Sequence, residues 1–574
     1  MLQSLSTPRG DALSGAPWQV YPRPQLRRDS YINLNGQWEF AVSPREPEAY
    51  PMHIRVPFCP ESRLSGIGQH FDEGACLWYR RPFSLPQGFS RGKVLLHIGA
   101  ADQTAEVFVN GQQLCRHEGG YDAFCVDITA AVQAENVLVI RCRDDLRDQA
   151  FPYGKQVMSR GGMWYTPVSG IWQTVWLESV PEDYIETLNI ENRGASVVIS
   201  TVPPLDGTVR IEGLGAFPLE NGSVTVTPEA PHFWCPEDPY LYSFTVETGQ
   251  DMVESYFAIR SLEIKKVGNY PRLCLNGKPY FFHGLLDQGY WPESLLTAPA
   301  PQSYADDILA AKRLGFNTLR KHIKVEPEEF YYQCDRLGMI VWQDMVNNGD
   351  YRYLRDTVLP TLGLQKRNDR HLHKDARTRE FFRRSAAAAV NQLKNHPCIC
   401  YWTIFNEGWG QFDSDRVYRW FRTQDDTRFI DTASGWFRGE GTDVDSRHQY
   451  FGALRLKGDG RKPLVLSEFG GKTWQAEGHL FNPDKTYGYG ACKTREALNG
   501  AVAKLYLESV VPAVEDGLCA AIYTQLSDVE DELNGIVTYD RRLIKLDEST
   551  MLPISAALQE ALEKKMVASS EKMG

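Results

Sequence analysis

Two apolar runs of this chain each lead into a glutamate that is followed by glycine or an aromatic residue. Residues Cys398–Phe405 are almost wholly apolar and rich in aromatic and β-branched side chains. Such composition is typical of a strand buried on both faces, as in parallel sheets covered by helices. Asn406 and Glu407 follow this run directly, and the run Pro463–Leu466 leads into Glu468 in the same way. Because α/β barrels place their chemistry at the C-terminal ends of the strands, we expect both carboxylates at one barrel mouth.

The region from residue 265 to 574 alternates strand-like and helix-like segments. This alternation is the mark of a parallel α/β architecture. Clear helices are expected at Ser303–Leu314 and Arg377–Lys394. Eight strands are predicted, the number that a (β/α)8 TIM barrel requires; they are Tyr280–Leu286, Asn317–Arg320, Met339–Gln343, Ile399–Phe405, Phe429–Ala433, Gln449–Phe451, Pro463–Ser467 and Cys519–Gln525.

The first 264 residues contain many short β-rich runs separated by turn signals, of which Asn110-Gly111 is the clearest. Many short strands of this kind favour β-sandwiches. Residues 1–180 are predicted to form one all-β domain, closed by a strand at Ile171–Leu177. Residues 181–264 are predicted to form a second, smaller β-domain. The fold class is therefore multidomain β plus α/β.

Composition limits the classes of function. The chain has 574 residues, a net charge of −11 and 12 cysteines scattered along it. An acidic protein of this kind is not expected to bind nucleic acid, which needs a basic face. The sequence has no apolar run near the roughly 20 residues of a membrane span, and its start does not read as a secretory signal. We expect a cytoplasmic protein with reduced thiols.

Paired carboxylates at a barrel mouth suit glycoside hydrolysis. A retaining glycosidase holds two carboxyl groups about 5–5.5 Å apart, one as nucleophile and one as acid/base. We assign Glu407 as the acid/base, with Asn406 beside it to bind the sugar 2-hydroxyl, and Glu468 as the nucleophile. The alternative is that each glutamate ends a strand only to form a salt bridge, which is less plausible for both together.

Five segments together resemble glycoside hydrolase family 2. Glu407 lies in IFNEGWG and Glu468 in LSEFGG, which resemble the acid/base and nucleophile signatures of this family. GIWQTVWLE at 170–178, YFAIRSLEI at 256–264 and LNGKPYFFHG at 275–284 also resemble family segments. The resemblance implies a jelly-roll domain over 1–180, an immunoglobulin-like domain over 181–264 and a catalytic barrel over 265–574. It also implies exo-acting hydrolysis of a β-glycoside with retention of configuration.

The resemblance carries further site residues over by position. Tyr450 matches a tyrosine that hydrogen-bonds the nucleophile, and Arg320 matches an arginine that orients it. Trp342 and Asp344 are expected at the barrel mouth only because they lie at the end of the third strand. The other expected substrate-binding residues are Asp287, Tyr290, Trp291, His322, Lys324, Tyr523 and Gln525. No cofactor and no required metal are predicted.

The identity of the sugar stays open in the sequence. A β-galactosidase is the first expectation. A β-uronidase is the alternative and stands second for two reasons. The family's Asn-x-Lys pair, which holds the sugar carboxylate, is absent after Glu468. A segment with four acidic residues (Asp528, Glu530, Asp531 and Glu532) would repel that carboxylate. Lys324 or Lys472 could substitute for the missing lysine. A transglycosylase and a catalytically silent glycan-binding protein are the rivals to a hydrolase. The expected partner is a carbohydrate, with neither nucleic acid nor membrane, and a homo-oligomer is possible.

Overall fold

The N-terminal part of the protein is built from antiparallel sheets. The structure, a computed structural model, describes residues 2–364, 368–451, 454 and 456–570, apart from the side chains of residues 361 and 565–570. A four-stranded sheet contains, in spatial order, Tyr31–Asn33, Val175–Val180, Lys93–Ile98 and Phe124–Asp127. A six-stranded sheet contains Met52–Val56, Gly36–Val42, Cys76–Ser84, Glu135–Arg143, Thr104–Val109 and Gln112–Glu118. Buried side chains of both sheets form one apolar core.

The predicted strand Ile171–Leu177 is wrong in its extent. The structure has a two-residue strand, Gly170–Ile171, and then a separate strand, Val175–Val180. Between them the backbone N–H of Trp172 and the indole N–H of the same residue donate to the carbonyls of Ala100 and Gly120. Since the backbone N–H of Trp172 is bonded to Ala100 outside the named strands, the chain does not continue here as one strand.

A second β-unit follows, with its own apolar core. Its three-stranded sheet contains Thr187–Arg193, Ser196–Val202 and Ser223–Val226. Its four-stranded sheet contains Gly215–Leu219, Gly207–Ile211, Tyr242–Thr248 and Asp251–Phe257. A further antiparallel sheet, Leu262–Val267, Tyr270–Leu275 and Lys278–Pro279, leads into the C-terminal part of the chain. The domain boundaries at 180/181 and 264/265 stay predictions.

Eight parallel strands form the C-terminal barrel, as expected. In chain order they are Phe282–Asp287, Thr318–Lys321, Ile340–Asp344, Ile399–Asn406, Phe429–Ser434, Asp445–Gln449, Leu464–Gly470 and Leu518–Thr524. The first strand pairs with both the second and the eighth. From the second strand the pairing continues through the third and fourth to the fifth, and from the eighth it continues through the seventh to the sixth. The predicted fold class, multidomain β plus α/β with a C-terminal TIM barrel, is confirmed.

Helices surround the barrel. The main ones are Gln302–Arg313, Glu328–Leu337, Ala376–Leu393, Ser414–Phe421, Arg495–Leu505, Val511–Glu515 and Glu548–Ser570. Short helical turns lie at Pro8–Asp11, Arg63–Ser65, Leu354–Val358, Leu359–Thr361, Asp369–His371 and Tyr506–Val510. Within the described ranges, no helix combines the length and the apolar character needed to cross a bilayer.

The sixth barrel strand begins four residues before the position that the sequence suggested. It runs over Asp445–Gln449 rather than Gln449–Phe451. Its inward side chains, Ser446 and His448, are buried although they are polar. The Ser446 hydroxyl lies 2.6 Å from that of Ser467 and 3.3 Å from that of Ser434. The strand has no apolar run because its inner face belongs to a hydrogen-bonded polar cluster.

Candidate active site

Glu407 and Glu468 meet at the C-terminal end of the barrel. Glu407 directly follows the fourth strand in a left-handed backbone conformation (φ 50°), and its N–H donates to the Ser434 carbonyl at 2.9 Å. Glu468 lies within the seventh strand. The two residues are 7% and 4% exposed, and carboxylate oxygens of the two lie within 4.8 Å of each other. This spacing is that of a retaining pair rather than the wider spacing that leaves room for a water.

Arg320, at the end of the second strand, joins the nucleophile candidate to its surroundings. Its guanidinium donates twice to Asp344, both at 3.0 Å, and once to Glu468 Oε1 at 3.0 Å. The remaining N–H groups reach Asn406 Oδ1 at 2.9 Å and the Ser467 carbonyl at 3.1 Å. Burial alone would lower the pKa of Arg320, but Asp344 and Glu468 raise it above its usual value. A permanent cation therefore fixes and neutralises the Glu468 carboxylate.

Tyr450 connects the two glutamates. Its hydroxyl donates to Glu468 Oε2 in a short contact and lies 3.2 Å from Glu407 Oε1. Its ring stacks on Tyr489 with centroids 4.2 Å apart. Burial, followed by the charges of both glutamates, raises the pKa of the Tyr450 hydroxyl well above its usual value. The hydroxyl therefore keeps its proton and acts as a donor.

The electrostatics around Glu407 differ from those around Glu468. Burial raises the pKa of Glu407 above its ordinary value, and nearby Lys155, His322 and Tyr450 only partly oppose this. No arginine contacts Glu407 among the residues that the structure describes, whereas Arg320 contacts Glu468 directly. Two carboxyl groups with such different environments are suited to the roles of proton donor and nucleophile.

His448, two residues before Tyr450, is a site residue that the sequence did not single out. Its Nδ1 lies 2.8 Å from Glu407 Oε1, and its Nε2 lies 3.0 Å from the Ser434 hydroxyl. Burial lowers the pKa of His448 to about 3, so the ring is neutral. The available signal was its spacing, because residues two apart on a strand share one face.

Other predicted residues lie nearby but are engaged by the protein itself. Asp287 accepts from Lys321 at 2.6 Å and from the Gly289 N–H at 2.9 Å. His322 Nδ1 lies 2.9 Å from Asp344 Oδ2. The expectation that Lys324 could hold a sugar carboxylate needs correction. Its ammonium already donates to the carbonyls of Gly289 and Leu296 and to Glu326. All three of its protons are used, which leaves none for a sugar carboxylate.

The remaining predicted aromatic and amide residues line the same end of the barrel. Tyr290 and Trp291 follow the first strand and are 2% and 1% exposed. The Trp291 ring centroid lies 5.2 Å from the Lys324 ammonium and 5.3 Å from the Arg541 guanidinium. The Tyr523 hydroxyl accepts from the Lys472 N–H at 3.1 Å. Gln525 Oε1 accepts from Gln288 at 2.7 Å, while its buried amide nitrogen has no partner among the described residues.

Trp342 is placed differently from Asp344, although both are near the end of the third strand. Asp344 holds Arg320 and His322 at the site. Trp342 is fully buried and stacks on Tyr401 with centroids 3.8 Å apart. Residues two apart on a strand share one face, so the two differ in their contacts and not in the face they occupy: Trp342 packs on Tyr401, whereas Asp344 holds Arg320.

Lys155 reaches the site from the N-terminal sheet region, which the sequence did not suggest. It is 6% exposed, and its Nζ lies 4.9 Å from the ring centroid of Trp409, two residues after Glu407. The rings of Trp164 and Tyr165 lie 5.7 and 5.9 Å from the same atom. This lysine and these three aromatic rings therefore lie together beside Glu407.

The acidic segment after the eighth strand is largely neutralised by neighbours. Asp528 accepts from Lys545 at 2.6 and 2.9 Å, and Asp531 accepts from Arg160 at 2.9 Å. Glu530 lies 3.4 Å from the same arginine. Glu532 accepts from the Tyr165 hydroxyl at 2.5 Å and from the Asn534 amide at 2.9 Å. The repulsion of a sugar carboxylate expected from these four charges is therefore much reduced.

Glu407, His448 and Glu468 offer three ligand atoms within 4.8 Å of one another, which is a geometry that a metal could use. Arg320 Nη1 already lies 3.0 Å from Glu468 and 3.3 Å from His448 Nε2. A second cation there would be repelled by the guanidinium. The absence of a required metal stays a prediction.

Comparison with known proteins adds a family model and full-length structural neighbours. The model described as "Glycosyl hydrolases family 2, TIM barrel domain" matches residues 266–543. A beta-glucuronidase of Felis catus is 25% identical over 475 residues, which cover 69% of this chain and 66% of that protein. A beta-galactosidase of Thermoanaerobacter pseudethanolicus is 23% identical over 357 residues, which cover 57% of this chain and 44% of that protein. Across the first curated relatives, the matched part spans between 39% and 66% of their length.

Among solved structures, an "Uncultured Clostridium sp. Beta-glucuronidase" superposes with a TM-score of 0.72 and 18% identity, covering 95% of this chain and all of that chain. Three other curated relatives, which are 23–25% identical to this chain, are also named beta-glucuronidases. At 18% identity the structural match establishes a shared fold. The activity in the neighbour's name is a property of the neighbour and does not follow for this chain from the match.

Proposed function

Because the barrel of this chain belongs to glycoside hydrolase family 2, we propose that the protein is a retaining exo-β-glycosidase acting on a terminal β-linked uronic acid. One observation carries the reaction type. Glu407 and Glu468 lie within 4.8 Å of each other at the barrel mouth, one with a raised pKa and the other held by Arg320.

The geometry gives each carboxyl group one task in the first step. Glu468, oriented by Arg320 and Tyr450, attacks the anomeric carbon and forms a glycosyl-enzyme ester. Glu407 gives its proton to the glycosidic oxygen, so the aglycone leaves as a neutral alcohol or phenol with the bonding electron pair. Asn406 is oriented for the sugar 2-hydroxyl, because its Oδ1 accepts from Arg320 and its amide N–H groups stay available.

The second step reverses the roles. Glu407, now a carboxylate, takes a proton from water, and the hydroxide attacks the anomeric carbon as the bond to Glu468 breaks. Two inversions restore the starting configuration, so the sugar leaves as the β-anomer. Tyr450 stabilises both states, because its hydroxyl is placed to donate to either glutamate.

The choice of a uronic acid over galactose rests on two supports. Three of the curated relatives are named beta-glucuronidases, and another is named a beta-galactosidase. One of the two sequence arguments against a uronic acid is weakened, because Lys545 and Arg160 neutralise Asp528 and Asp531, while the Asn-x-Lys pair stays absent. The expectation of a β-galactosidase therefore becomes the second candidate.

A panel of 4-nitrophenyl β-glycosides tests the proposal. We expect hydrolysis of the glucuronide or the galacturonide to exceed that of the glucoside and the galactoside, and to vanish in Glu468→Ala. Proton NMR of the first product should show the β-anomer. Preference for a neutral sugar would overturn the substrate class, whereas an α-anomer as first product would overturn the mechanism. Added sugar acceptors in the same assay would detect a transglycosylase, and an inert enzyme would point to a silent binding protein.

A further inference from the structure

Four lysines are buried in the part of the chain that the structure describes, and one differs from the others. Lys321, Lys324 and Lys545 each donate to a carboxylate at hydrogen-bonding distance. Lys155 has no acceptor for its ammonium within hydrogen-bonding distance among the described residues, although only 6% of the residue is exposed. The Lys155 ammonium packs over aromatic rings and is not among the fully enclosed polar atoms of the described residues that lack a partner, so it is open to an acceptor that binds at this position.

The position of this ammonium is the mouth of the barrel. It lies 4.9 Å from the ring centroid of Trp409, which follows Glu407 by two residues. The charged groups that face it are Glu532, Glu468, Glu407 and Arg320. Burial lowers the pKa of Lys155, and the three carboxylates act against this shift. None of these carboxylates forms an ion pair with Lys155 within 4.0 Å in the described structure, so the ammonium is not engaged by any of the three.

We propose that Lys155 binds the carboxylate of the uronic-acid unit, so that a loop of the N-terminal β-region supplies the residue that selects for an acidic sugar. This inference rests on the proposed function, since it names the group that recognises the proposed substrate. The rings of Trp164 and Trp409 lie 5.7 and 4.9 Å from the ammonium and attract the cation. An ammonium held in that way pairs strongly with a carboxylate.

The other lysines near the mouth fit this role less well. Lys324 has all three protons engaged by Gly289, Leu296 and Glu326. The ammonium of Lys472 lies against Gly490, where an added Cβ would come within 2.8 Å of it. Lys472 is also only half-buried, so water can solvate its charge. Lys155 alone combines deep burial with a free ammonium among the described lysines of this region.

A competing explanation is that Lys155 only balances the negative charge of Glu407, Glu468 and Glu532. Under that explanation, its removal would affect acidic and neutral sugars alike. Carboxylate recognition predicts a difference instead, because a neutral sugar has no group that needs the ammonium. Matched substrates that differ only at C6 therefore separate the two explanations.

The first experiment measures kcat/KM of the wild type, Lys155→Met and Lys155→Arg on a 4-nitrophenyl β-glucuronide and β-glucoside, and on the galacturonide and galactoside. Lys472→Met is the matched control. We expect Lys155→Met to lose about 10- to 100-fold on the uronide, mainly through KM, since a hydrogen bond to a charged group disappears. At a pH on the plateau below the basic limb of every variant, the neutral sugar should change less than about threefold, and Lys155→Arg should recover part of the loss on the uronide. Equal losses on both sugars, or a loss confined to Lys472→Met, would overturn the proposal.

The second experiment needs no turnover. Isothermal titration with D-glucuronate, D-galacturonate, D-glucose and D-galactose measures binding to the wild type and to Lys155→Met. We expect a sugar acid to bind the wild type more tightly than its neutral counterpart, and Lys155→Met to abolish that difference. If such binding is found without uronide hydrolysis, the proposed function fails while the role of Lys155 stands. If the wild type shows no preference for a sugar acid, or Lys155→Met keeps it, the role of Lys155 is overturned.

Discussion

His448 Nδ1 lies 2.8 Å from Glu407 Oε1, and Arg320 determines which ring nitrogen carries the proton. The guanidinium Nη1 lies 3.3 Å from His448 Nε2 and has no lone pair to accept a proton. Since the ring is neutral, with its pKa lowered to about 3 by burial, Nε2 is the acceptor and Nδ1–H donates to Glu407. The arginine that holds the nucleophile thus also orients the acid/base through one histidine.

The first prediction follows from this tautomer. His448→Phe removes the donor to Glu407, and we expect kcat to fall about 10- to 100-fold, a size typical of lost positioning hydrogen bonds around a reacting group. KM should change little. His448→Asn is the conservative variant, because its amide N–H can occupy the position of Nδ1–H, and it should restore part of kcat. Thermal melting of both variants checks folding, and equal losses of kcat in the two would contradict the assigned donor.

Glu407→Gln tests the proton donor. We expect kcat/KM on a substrate with a poor leaving group, such as an alkyl glycoside, to fall by about 10²- to 10⁴-fold. A dinitrophenyl glycoside, whose leaving group needs no proton, should lose much less in the glycosylation step. Steady-state rates on the two substrates give the comparison. Equal losses on both would remove Glu407 from the role of acid.

Glu468→Ala tests the nucleophile by chemical rescue. We expect near-complete loss of hydrolysis, because no carboxylate remains to form the glycosyl-enzyme. Added azide can enter the space that the side chain leaves and attack the anomeric carbon as the aryl alcohol departs. The product should be an α-glycosyl azide, identified by NMR, since only one inversion has occurred. A β-glycosyl azide would show that another residue still provides the first inversion.

The two glutamates could be predicted from the sequence because the strands around them are unusual. Cys398–Phe405 is apolar on both faces, which is typical of a strand in a parallel sheet that is covered on both faces. The sixth strand was misplaced for the opposite reason. Its residues Ser446 and His448 point into a polar cluster, so the apolar pattern that marks other strands is missing there.

Lys155 could not be predicted because its role depends on packing between distant parts of the chain. Nothing around Gly154-Lys155 marks it as a site residue. It becomes one when this loop lies against Trp409, whose position follows from the fourth barrel strand. Lys324 shows the reverse case. Its position in sequence suggested a free charge, and only the structure reveals the carbonyls that surround it.

Arg320→Lys tests whether geometry, and not charge alone, holds the nucleophile. Lysine keeps the charge but offers three donors in place of the five that Asp344, Glu468, Asn406 and the Ser467 carbonyl now accept. We expect a loss of about 1–3 kcal/mol in unfolding free energy, since buried acceptors lose partners, together with a large fall in kcat. Arg272→Lys is the control, because Arg272 is buried and donates to the Leu518 and Val514 carbonyls. It should lose stability but keep kcat, and a similar fall in kcat for both would point to a general structural effect.

The pH profile tests the electrostatic link between Lys155 and Glu407. The free enzyme is active while Glu407 is protonated, and burial raises the pKa of this carboxyl above its ordinary value. Activity, measured as kcat/KM, should therefore fall as pH rises through that raised pKa. Lys155 lowers the pKa of Glu407 by its positive charge. Lys155→Met should shift the basic limb to higher pH, whereas Lys155→Arg, which keeps the charge, should leave it in place. A neutral aryl glycoside is the substrate, because its binding does not need the ammonium, and an unshifted limb in Lys155→Met would contradict the link.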